Sequence, residues 1–223
     1  MRINRRNLII GSIASTAIGS SFQASALEEC PAAGLPAGLC SALIDPSRFE
    51  SQQVADTQKR SQWCWAACIS MICKFHGYGL PQESIVTQMY GSIVDMPADD
   101  RLLTSAVNRE WSVEGGKRIR ISARTFSPAL GTADVLNATV VDDLKNDRPM
   151  INGSGTHATV TARVDYRPNS NGQPQVFRVH VIDPWPSATN NSQRARFLDA
   201  NEMKPLQLGG SLRYLASVKI EEI

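Results

Sequence analysis

The spacing of apolar residues changes along the chain, from a largely helical repeat to strict alternation. Apolar positions that recur every three or four residues predict helices, at 64–76, 82–90, 98–110 and 133–146. Alternating apolar and β-branched positions predict strands, at 117–126, 150–152, 156–165, 175–183 and 212–220. Because most of the helices precede most of the strands, the pattern predicts an α+β domain with an antiparallel sheet rather than a doubly wound parallel sheet.

The domain predicted from this pattern covers residues 57–223. No internal repeat or low-complexity linker divides it, which favours a single domain. Residues 27–56 are rich in Pro, Gly and Ala and are expected to form an irregular N-terminal arm that holds Cys30 and Cys40.

The first 26 residues have the pattern of an export signal. Three arginines precede an apolar stretch over 8–18, and small residues end at Ala26, where we expect cleavage. An uncleaved N-terminal anchor or helix is the alternative. The pair Arg5-Arg6 also resembles a twin-arginine signal, so the general and the twin-arginine routes both stay open. Either route would place the mature protein in the periplasm or outside the cell.

Composition narrows the classes of function. The chain is 42% hydrophobic and 20% charged, with a net charge of +2, as in soluble globular proteins. Removal of residues 1–26 takes away three arginines and leaves 20 Lys+Arg (23 − 3) against 21 Asp+Glu. The chain has neither the basic clustering of nucleic-acid-binding proteins nor 18 consecutive apolar residues. We therefore expect no nucleic-acid partner, no stable membrane insertion after signal cleavage, and a monomer.

The chain has five cysteines, an odd number that leaves at least one thiol unpaired in a monomer. In an oxidising compartment the others are free to form disulfides. Cys68 and Cys73 lie on one predicted helix about 140° apart, so they should not bond each other. We favour a bond between Cys30 and Cys40, and a bond from either of these to Cys73 is the alternative.

Cys64 opens the first predicted helix, where backbone N–H groups and the helix dipole favour a thiolate. Three other roles are open to a cysteine at this position. A zinc site would need Cys64, Cys68, Cys73 and His76 to converge, yet they point to about 0°, 40°, 180° and 120° around a helix. A redox pair would normally have two residues between its cysteines, whereas Cys64 and Cys68 have three. A buried structural thiol suits Cys68 better, because it shares the apolar stripe of the helix.

The surroundings of Cys64 resemble the active-site helix of papain-like cysteine peptidases. Gln58 stands six residues before the cysteine, and residues 62–67 read Gln-Trp-Cys-Trp-Ala-Ala, as in compact bacterial secreted members. Further on, Gly-Thr-His at 155–157 and Asp-Pro-Trp at 183–185 are similar to the family's histidine and orienting-residue motifs. The chain departs from papain in the threonine between glycine and histidine, and in an aspartate where papain has asparagine.

This resemblance implies an exported cysteine peptidase that hydrolyses peptide bonds through a covalent thioester. Cys64 would be the nucleophile, His157 the acid/base and Asp183 the residue that orients the imidazole. The side-chain amide of Gln58 and the backbone N–H of Cys64 would bind the oxyanion, and Trp185 would shield the histidine from water. The resemblance implies a protein or peptide substrate and neither a metal nor an organic cofactor.

Strand pairing gives an argument for the histidine that does not depend on the resemblance. If the strands at 156–165 and 175–183 form a hairpin centred on Ser170, His157 faces Asp183 across the ladder, with Cβ atoms about 4.5–5.5 Å apart. A bulge would shift this register. The other histidines are weaker candidates, because His76 lies in the last turn of a helix and His180 projects to the opposite face from Asp183.

The same residues leave two other classes of function open. One is a different thiol acyl-transfer enzyme, such as a cell-wall amidase, a deamidase or a transglutaminase-type enzyme. The other is a non-catalytic peptide-binding or toxin-delivery module that has the same fold.

Overall fold

The computed structural model describes residues 27–31, 36–133, 135–185 and 195–223, so the predicted signal at 1–26 lies outside the described residues. The helices are α1 (Pro46–Ser51), α2 (Cys64–Phe75), α3 (Gln82–Tyr90), α4 (Asp100–Ala106), α5 (Asn137–Leu144) and α6 (Ala200–Met203). The strands are β1 (Leu27–Glu29), β2 (Cys40–Leu43), β3 (Arg109–Ser112), β4 (Arg118–Ser127), β5 (Thr132–Ala133), β6 (Met150–Ser154), β7 (His157–Pro168), β8 (Pro174–Ile182), β9 (Ala195–Phe197) and β10 (Leu212–Glu222). None of these helices is long and apolar enough to cross a membrane.

The described strands form one antiparallel sheet with β7 at its centre. The main path runs β1-β2-β7-β6-β10-β4-β3, while β5 adds to β4, β8 adds to β7 and β9 adds to β8. The long strand β7 therefore pairs with β2, β6 and β8. The predicted α+β class with an antiparallel sheet is confirmed.

Helix α2 lies in the core and packs on β7. All of its residues except Lys74 are buried, because its sequence is apolar around its whole circumference. The helix ends before Gly77, which has a φ of 82°. Glycine adopts this left-handed conformation without the steric cost that a side chain would add. Cys73, which the helical repeat placed away from the apolar stripe, is fully buried as well. The burial fixes the helix axis and, with it, the position of Cys64 at the helix N-terminus.

Two predicted helices are shorter than expected. The helix predicted at 98–110 ends at Ala106, and the chain continues into β3, where Trp111 is buried and pairs opposite Ile119. The helix predicted at 133–146 begins at Asn137, because residues 132–133 pair with β4 instead. In both places pairing with β4 overrides the local helical repeat.

The segment 27–56, expected to be irregular, contains β1, β2 and α1. Strand β2 joins the main sheet through β7. A disulfide links Cys30 to Cys40, as predicted, while the thiols of Cys68 and Cys73 are free and buried.

The predicted register of the β7–β8 hairpin is wrong. Pro168 pairs with Pro174 next to the turn, so the hairpin is centred on Asn171 and not on Ser170. Two irregularities, at 161–163 and 165–166, offset each other, so Val160 pairs with Ile182 in that same register. His157 has its ladder partner in β6, where it pairs with Ser154. A turn centred one residue later moves each partner on β8 by two positions, so Asp183 does not lie directly opposite His157.

A buried carboxylate, Asp165 on β7, joins this strand to β2 and β8. Its oxygens accept hydrogen bonds from the Ser41 hydroxyl at 2.7 Å and from Arg163 Nε at 2.9 Å, and His180 Nε2 lies at 3.2 Å. Arg178 adds a fourth contact at 3.5 Å. Burial disfavours the charged carboxylate, but the hydrogen bonds outweigh it and lower the pKa of Asp165. The cluster therefore ties β2 and β8 to the strand that carries His157.

We predict that Asp165→Asn lowers the free energy of unfolding by about 3 kcal/mol, because it leaves a partly buried arginine without its counter-charge. The carboxylate's contribution should be complete above about pH 5. It should be lost as the pH falls through the unfolded pKa of about 3.9 toward the lower folded value. Urea unfolding at pH 7 and at about pH 2.5, below the unfolded pKa, measures both effects. Glu221→Gln, which removes an exposed ion pair with Lys219, is the matched control. An equal and small effect of both substitutions at pH 7 would contradict the assignment.

Candidate active site

Cys64 is the first residue of α2, and 8% of its surface is exposed. Trp63 precedes the helix, and no side chain among the described residues caps its N-terminus. The N–H groups of a first helical turn have no partner inside the helix, and the helix dipole places partial positive charge there. The sulfur therefore lies where a negative charge is stabilised.

The loop after α3 holds the N-terminus of α2 in place. The indole N–H groups of Trp63 and Trp65 donate to the carbonyls of residues 94 and 96 at 2.8 and 3.2 Å. Between these carbonyls, the Asp95 carboxylate accepts the Ser61 hydroxyl at 2.7 Å and the next backbone N–H at 2.9 Å. The two tryptophans that flank the cysteine are thus buried and oriented by hydrogen bonds.

His157 begins β7, directly after a turn in which Gly155 has a φ of 57°. Its Nε2 lies 2.7 Å from Oδ1 of Asp183, the residue that follows the last residue of β8. The ring of Trp185 stands edge-on to the imidazole, with 6.0 Å between the ring centroids. The structure therefore joins the two downstream motifs of the sequence, although the predicted ladder register is not the one that joins them.

Asp183 is held through both carboxylate oxygens. Besides His157, Oδ1 accepts the backbone N–H of Trp185 at 2.9 Å, and Oδ2 accepts Nε of Arg196 at 2.8 Å. Burial alone would raise the pKa of Asp183, but the hydrogen bonds from His157 and Arg196 outweigh it and lower the pKa to about 2. This carboxylate is therefore ionised at neutral pH.

The imidazole of His157 is stabilised in its charged form. Burial alone would lower its pKa, but hydrogen bonds to Asp183 and Cys64, together with the charges of both groups, raise the pKa of His157 to about 9. The structure therefore brings Cys64, His157 and Asp183 together in the order that a thiolate–imidazolium pair with an orienting carboxylate requires.

Gln58 is buried beside this group, with 4% of its surface exposed. Its backbone N–H donates to the carbonyl of Pro184 at 2.8 Å, which ties the segment before α2 to the segment that contains Asp183. Its side-chain Nε2 donates to the carbonyls of Arg60 and Ser61, both at 2.9 Å. Its Oε1 is buried and has no hydrogen-bond partner among the residues that the structure describes. The role of this amide in binding an oxyanion stays a prediction.

Two further residues of the site carried no signal in the sequence. Gln82, at the start of α3, accepts the N–H of Lys59 at 3.0 Å and donates to the carbonyl of Thr57 at 2.8 Å, so it holds the backbone on both sides of Gln58. Arg213 donates through Nε to the carbonyl of Gly155 at 2.8 Å and fixes the turn before His157. Only the folded chain brings these polar side chains to the site.

The other two histidines lie elsewhere. His76 stands at the end of α2, where burial lowers its pKa to about 4. His180 contacts Asp165, and its ring packs on Phe197 with 4.2 Å between centroids. Within the described ranges, no group of three or more His, Cys, Asp or Glu side chains is arranged to hold a metal ion.

The comparisons with known proteins place these residues in a family. The family described as papain-like cysteine protease AvrRpt2 matches residues 47–202. No curated protein matches the sequence. Among solved structures, UfSP from C. elegans is similar to 82% of this chain, with 14% identity and a TM-score of 0.41, and this chain spans 33% of that chain.

The family match covers well over half of the chain and includes Cys64, His157 and Asp183. The sheet and the buried helix described above fit the α+β fold of papain-like proteases. The chain therefore belongs to the papain-like cysteine protease AvrRpt2 family.

Proposed function

We propose that this chain is an exported bacterial cysteine peptidase that hydrolyses peptide bonds with Cys64, His157 and Asp183 as its catalytic triad. One observation carries the proposal: a histidine bound to a carboxylate at 2.7 Å stands beside the single free thiol, among the described residues, that has any exposure. A free thiol with a structural role only would have no need of this arrangement.

The proposed reaction begins with a thiolate on Cys64 and an imidazolium on His157. The thiolate attacks the carbonyl carbon of the scissile amide, and the carbonyl oxygen takes the negative charge. His157 then gives its proton to the leaving amine as the C–N bond breaks, which leaves a thioester on Cys64. Water, activated by the neutral imidazole, hydrolyses the thioester and restores the ion pair. Asp183 keeps the ring oriented and stabilises its charged form.

The oxyanion would be bound by the backbone N–H of Cys64 and by the side-chain amide of Gln58. Such donors act on charge that develops in the transition state. In the free protein the Gln58 amide donates to the carbonyls of Arg60 and Ser61. The proposal requires the oxyanion to take over one of these two hydrogen bonds when substrate binds.

Export is proposed from the sequence of residues 1–26, with a mature protein that acts as a monomer in the periplasm or outside the cell. The disulfide between Cys30 and Cys40 supports this location, because such bonds persist mainly in oxidising compartments. A protein or peptide is the proposed substrate, in keeping with the protease family.

The function is tested by asking which amide the protein cleaves. The purified mature chain is incubated in parallel with unfolded proteins, with a peptide library and with purified peptidoglycan. New peptide N-termini detected by mass spectrometry would support the proposal. Release of cell-wall peptides alone would indicate an amidase, incorporation of an added amine would indicate a transglutaminase-type enzyme, and no reaction with any substrate would favour a binding module.

We predict that Cys64→Ala abolishes cleavage and also abolishes labelling by a thiol-reactive epoxide, because no other exposed thiol is present among the described residues. Cys68→Ala removes a buried thiol one turn further along α2 and is the matched control. It should keep both properties. Circular dichroism checks that both variants are folded, and labelling that persists in Cys64→Ala would contradict the assignment of the nucleophile.

A second prediction orders the other triad residues. Asp183→Asn should keep measurable activity, because asparagine still accepts a hydrogen bond from the imidazole. Asp183→Ala should lose considerably more, and His157→Ala nearly all activity, with losses on the order of 10²–10⁴-fold for groups that act within a catalytic unit. Values of kcat/KM for the three folded variants give the order. Full activity of Asp183→Ala would mean that another residue orients the histidine.

The pH dependence follows from the raised pKa of His157. The leaving amine takes its proton from the imidazolium, so kcat/KM should fall as the pH rises through about 9, where His157 loses that proton. Values of kcat/KM for one peptide between pH 5 and pH 10.5 measure this alkaline fall in the pH profile. A limb near pH 6.5, the ordinary value for histidine, would contradict the stabilising role of Asp183.

A further inference from the structure

The second oxygen of Asp183 has a partner that the proposed reaction does not use. While Oδ1 faces His157, Oδ2 accepts Nε of Arg196 at 2.8 Å. Asp183 is largely buried, with 16% of its side chain exposed, and Arg196 is about one-third exposed. A carboxylate bound on both oxygens by fixed donors cannot rotate about its Cβ–Cγ bond without losing one of them.

Arg196 is itself fixed at its far end. Its two terminal nitrogens donate to the two oxygens of Glu202 at 2.7 and 2.8 Å, so the guanidinium stands between two carboxylates. This paired geometry is specific to arginine, whose planar fork matches a carboxylate in a way that the lysine ammonium does not.

Glu202 is held by the backbone of α6. The Asp199 side chain accepts N–H groups of the first turn, and Glu202 Oε2 accepts the N–H of Asp199 at 3.0 Å, which completes a capping box. Arg196 lies on β9, and its neighbour Ala195 pairs with Ile182, the residue before Asp183. A strand pair and a capped helix thus determine where the guanidinium stands.

We infer that Arg196 is a positioning residue for Asp183 and that Glu202 anchors it, so the short unit of β9 and α6 is part of the catalytic apparatus. The inference rests on the proposed triad. Arg196 would act in two ways. It holds the carboxylate so that Oδ1 faces His157. Its guanidinium also offsets part of the negative charge of Asp183, so that the carboxylate stabilises the imidazolium less strongly than it would alone. An ion pair that only stabilises the fold would do neither.

A substrate-independent measurement tests the electrostatic effect. Iodoacetate alkylates the Cys64 thiolate with loss of iodide, and its own negative charge makes the reaction sensitive to the imidazolium beside the sulfur. The rate should therefore fall as His157 loses its proton, whereas neutral iodoacetamide should show no such fall. Intact-mass spectrometry gives the rates, and the buried Cys68 and Cys73 should not react in the folded protein.

In Arg196→Met the negative charge of Asp183 is no longer shared, so the imidazolium is stabilised more strongly. The alkaline limb of the iodoacetate rate should then lie at higher pH than in the unchanged protein. Arg120→Met, which removes an exposed arginine paired with Glu110 on another part of the sheet, is the matched control and should leave the limb in place. If the iodoacetate rate of Arg196→Met falls at the same pH as that of the unchanged protein, or at a lower pH, the inference is overturned.

Kinetics with a cleaved peptide test the positioning effect. Arg196→Met should lower kcat about 10-fold and leave KM unchanged, because Arg196 contacts the triad and not the substrate. Arg196→Lys should recover part of the loss and Glu202→Gln should show a smaller one. In the Asp183→Asn background, the same Arg196→Met change should cost less than about twofold, since its effect passes through the carboxylate. A cost there as large as in the unchanged protein would overturn the inference.

The two proposals fail in different ways. If Cys64→Ala and His157→Ala leave activity and alkylation unchanged, the proposed triad is wrong. If those variants lose activity as expected while Arg196→Met behaves like Arg120→Met, the triad stands and only the role of Arg196 is wrong. Circular dichroism and urea unfolding of each variant confirm that a folded protein is compared.

Discussion

The hydrogen bond between His157 Nε2 and Asp183 Oδ1, 2.7 Å long, is the contact on which the rest of the site depends. It joins the start of β7 to the residue after β8, at the end of the sheet where α2 begins. Burial opposes the charged form of both side chains, and their mutual hydrogen bond reverses that effect, with a pKa of about 9 for the histidine and about 2 for the aspartate. The sulfur of Cys64 adds to the stabilisation of the imidazolium and completes the group.

The surrounding framework keeps this contact in place through other partly buried charges. Arg213 binds the turn before His157 and also pairs with Asp100 at the start of α4. On the other side, Arg196 binds Asp183. Breaking a buried ion pair leaves a charge without compensation, which is costly, so each pair restricts the conformations open to the strand ends. The result is a site whose histidine and carboxylate are held from both directions.

The sequence was sufficient for the parts of the site that depend on local pattern. The apolar repeat located α2, Cys64 at its start was recognised from its flanking motif, and the turn residues between β7 and β8 predicted that His157 and Asp183 come together. The register was wrong by two positions, because the turn is centred on Asn171 instead of Ser170, and a loop made almost entirely of turn residues does not define its own centre. Asp183 reaches the histidine from beyond the end of β8 instead of from a position directly opposite.

The residues that the sequence did not reveal act through tertiary pairing. Arg196 belongs to a three-residue strand, and only the pairing of β9 with β8 brings it to Asp183. Gln82 begins α3, a helix with several polar residues, yet its side chain is almost fully buried against the segment around Gln58. The helix predicted at 98–110 included the first two residues of β3, whose conformation is decided by pairing with β4. Such contacts join distant segments, so neither periodicity nor a local motif indicates them.

The charge of His157 is the most direct test of this account, and nitrogen-15 NMR of the three histidines measures it. We expect His157 to carry protons on both ring nitrogens at pH 7 and to titrate near pH 9, while His76 is neutral at pH 7 and titrates near pH 4. A His157 signal that is neutral at pH 7, with a titration at or below the ordinary value of about 6.5, would contradict it.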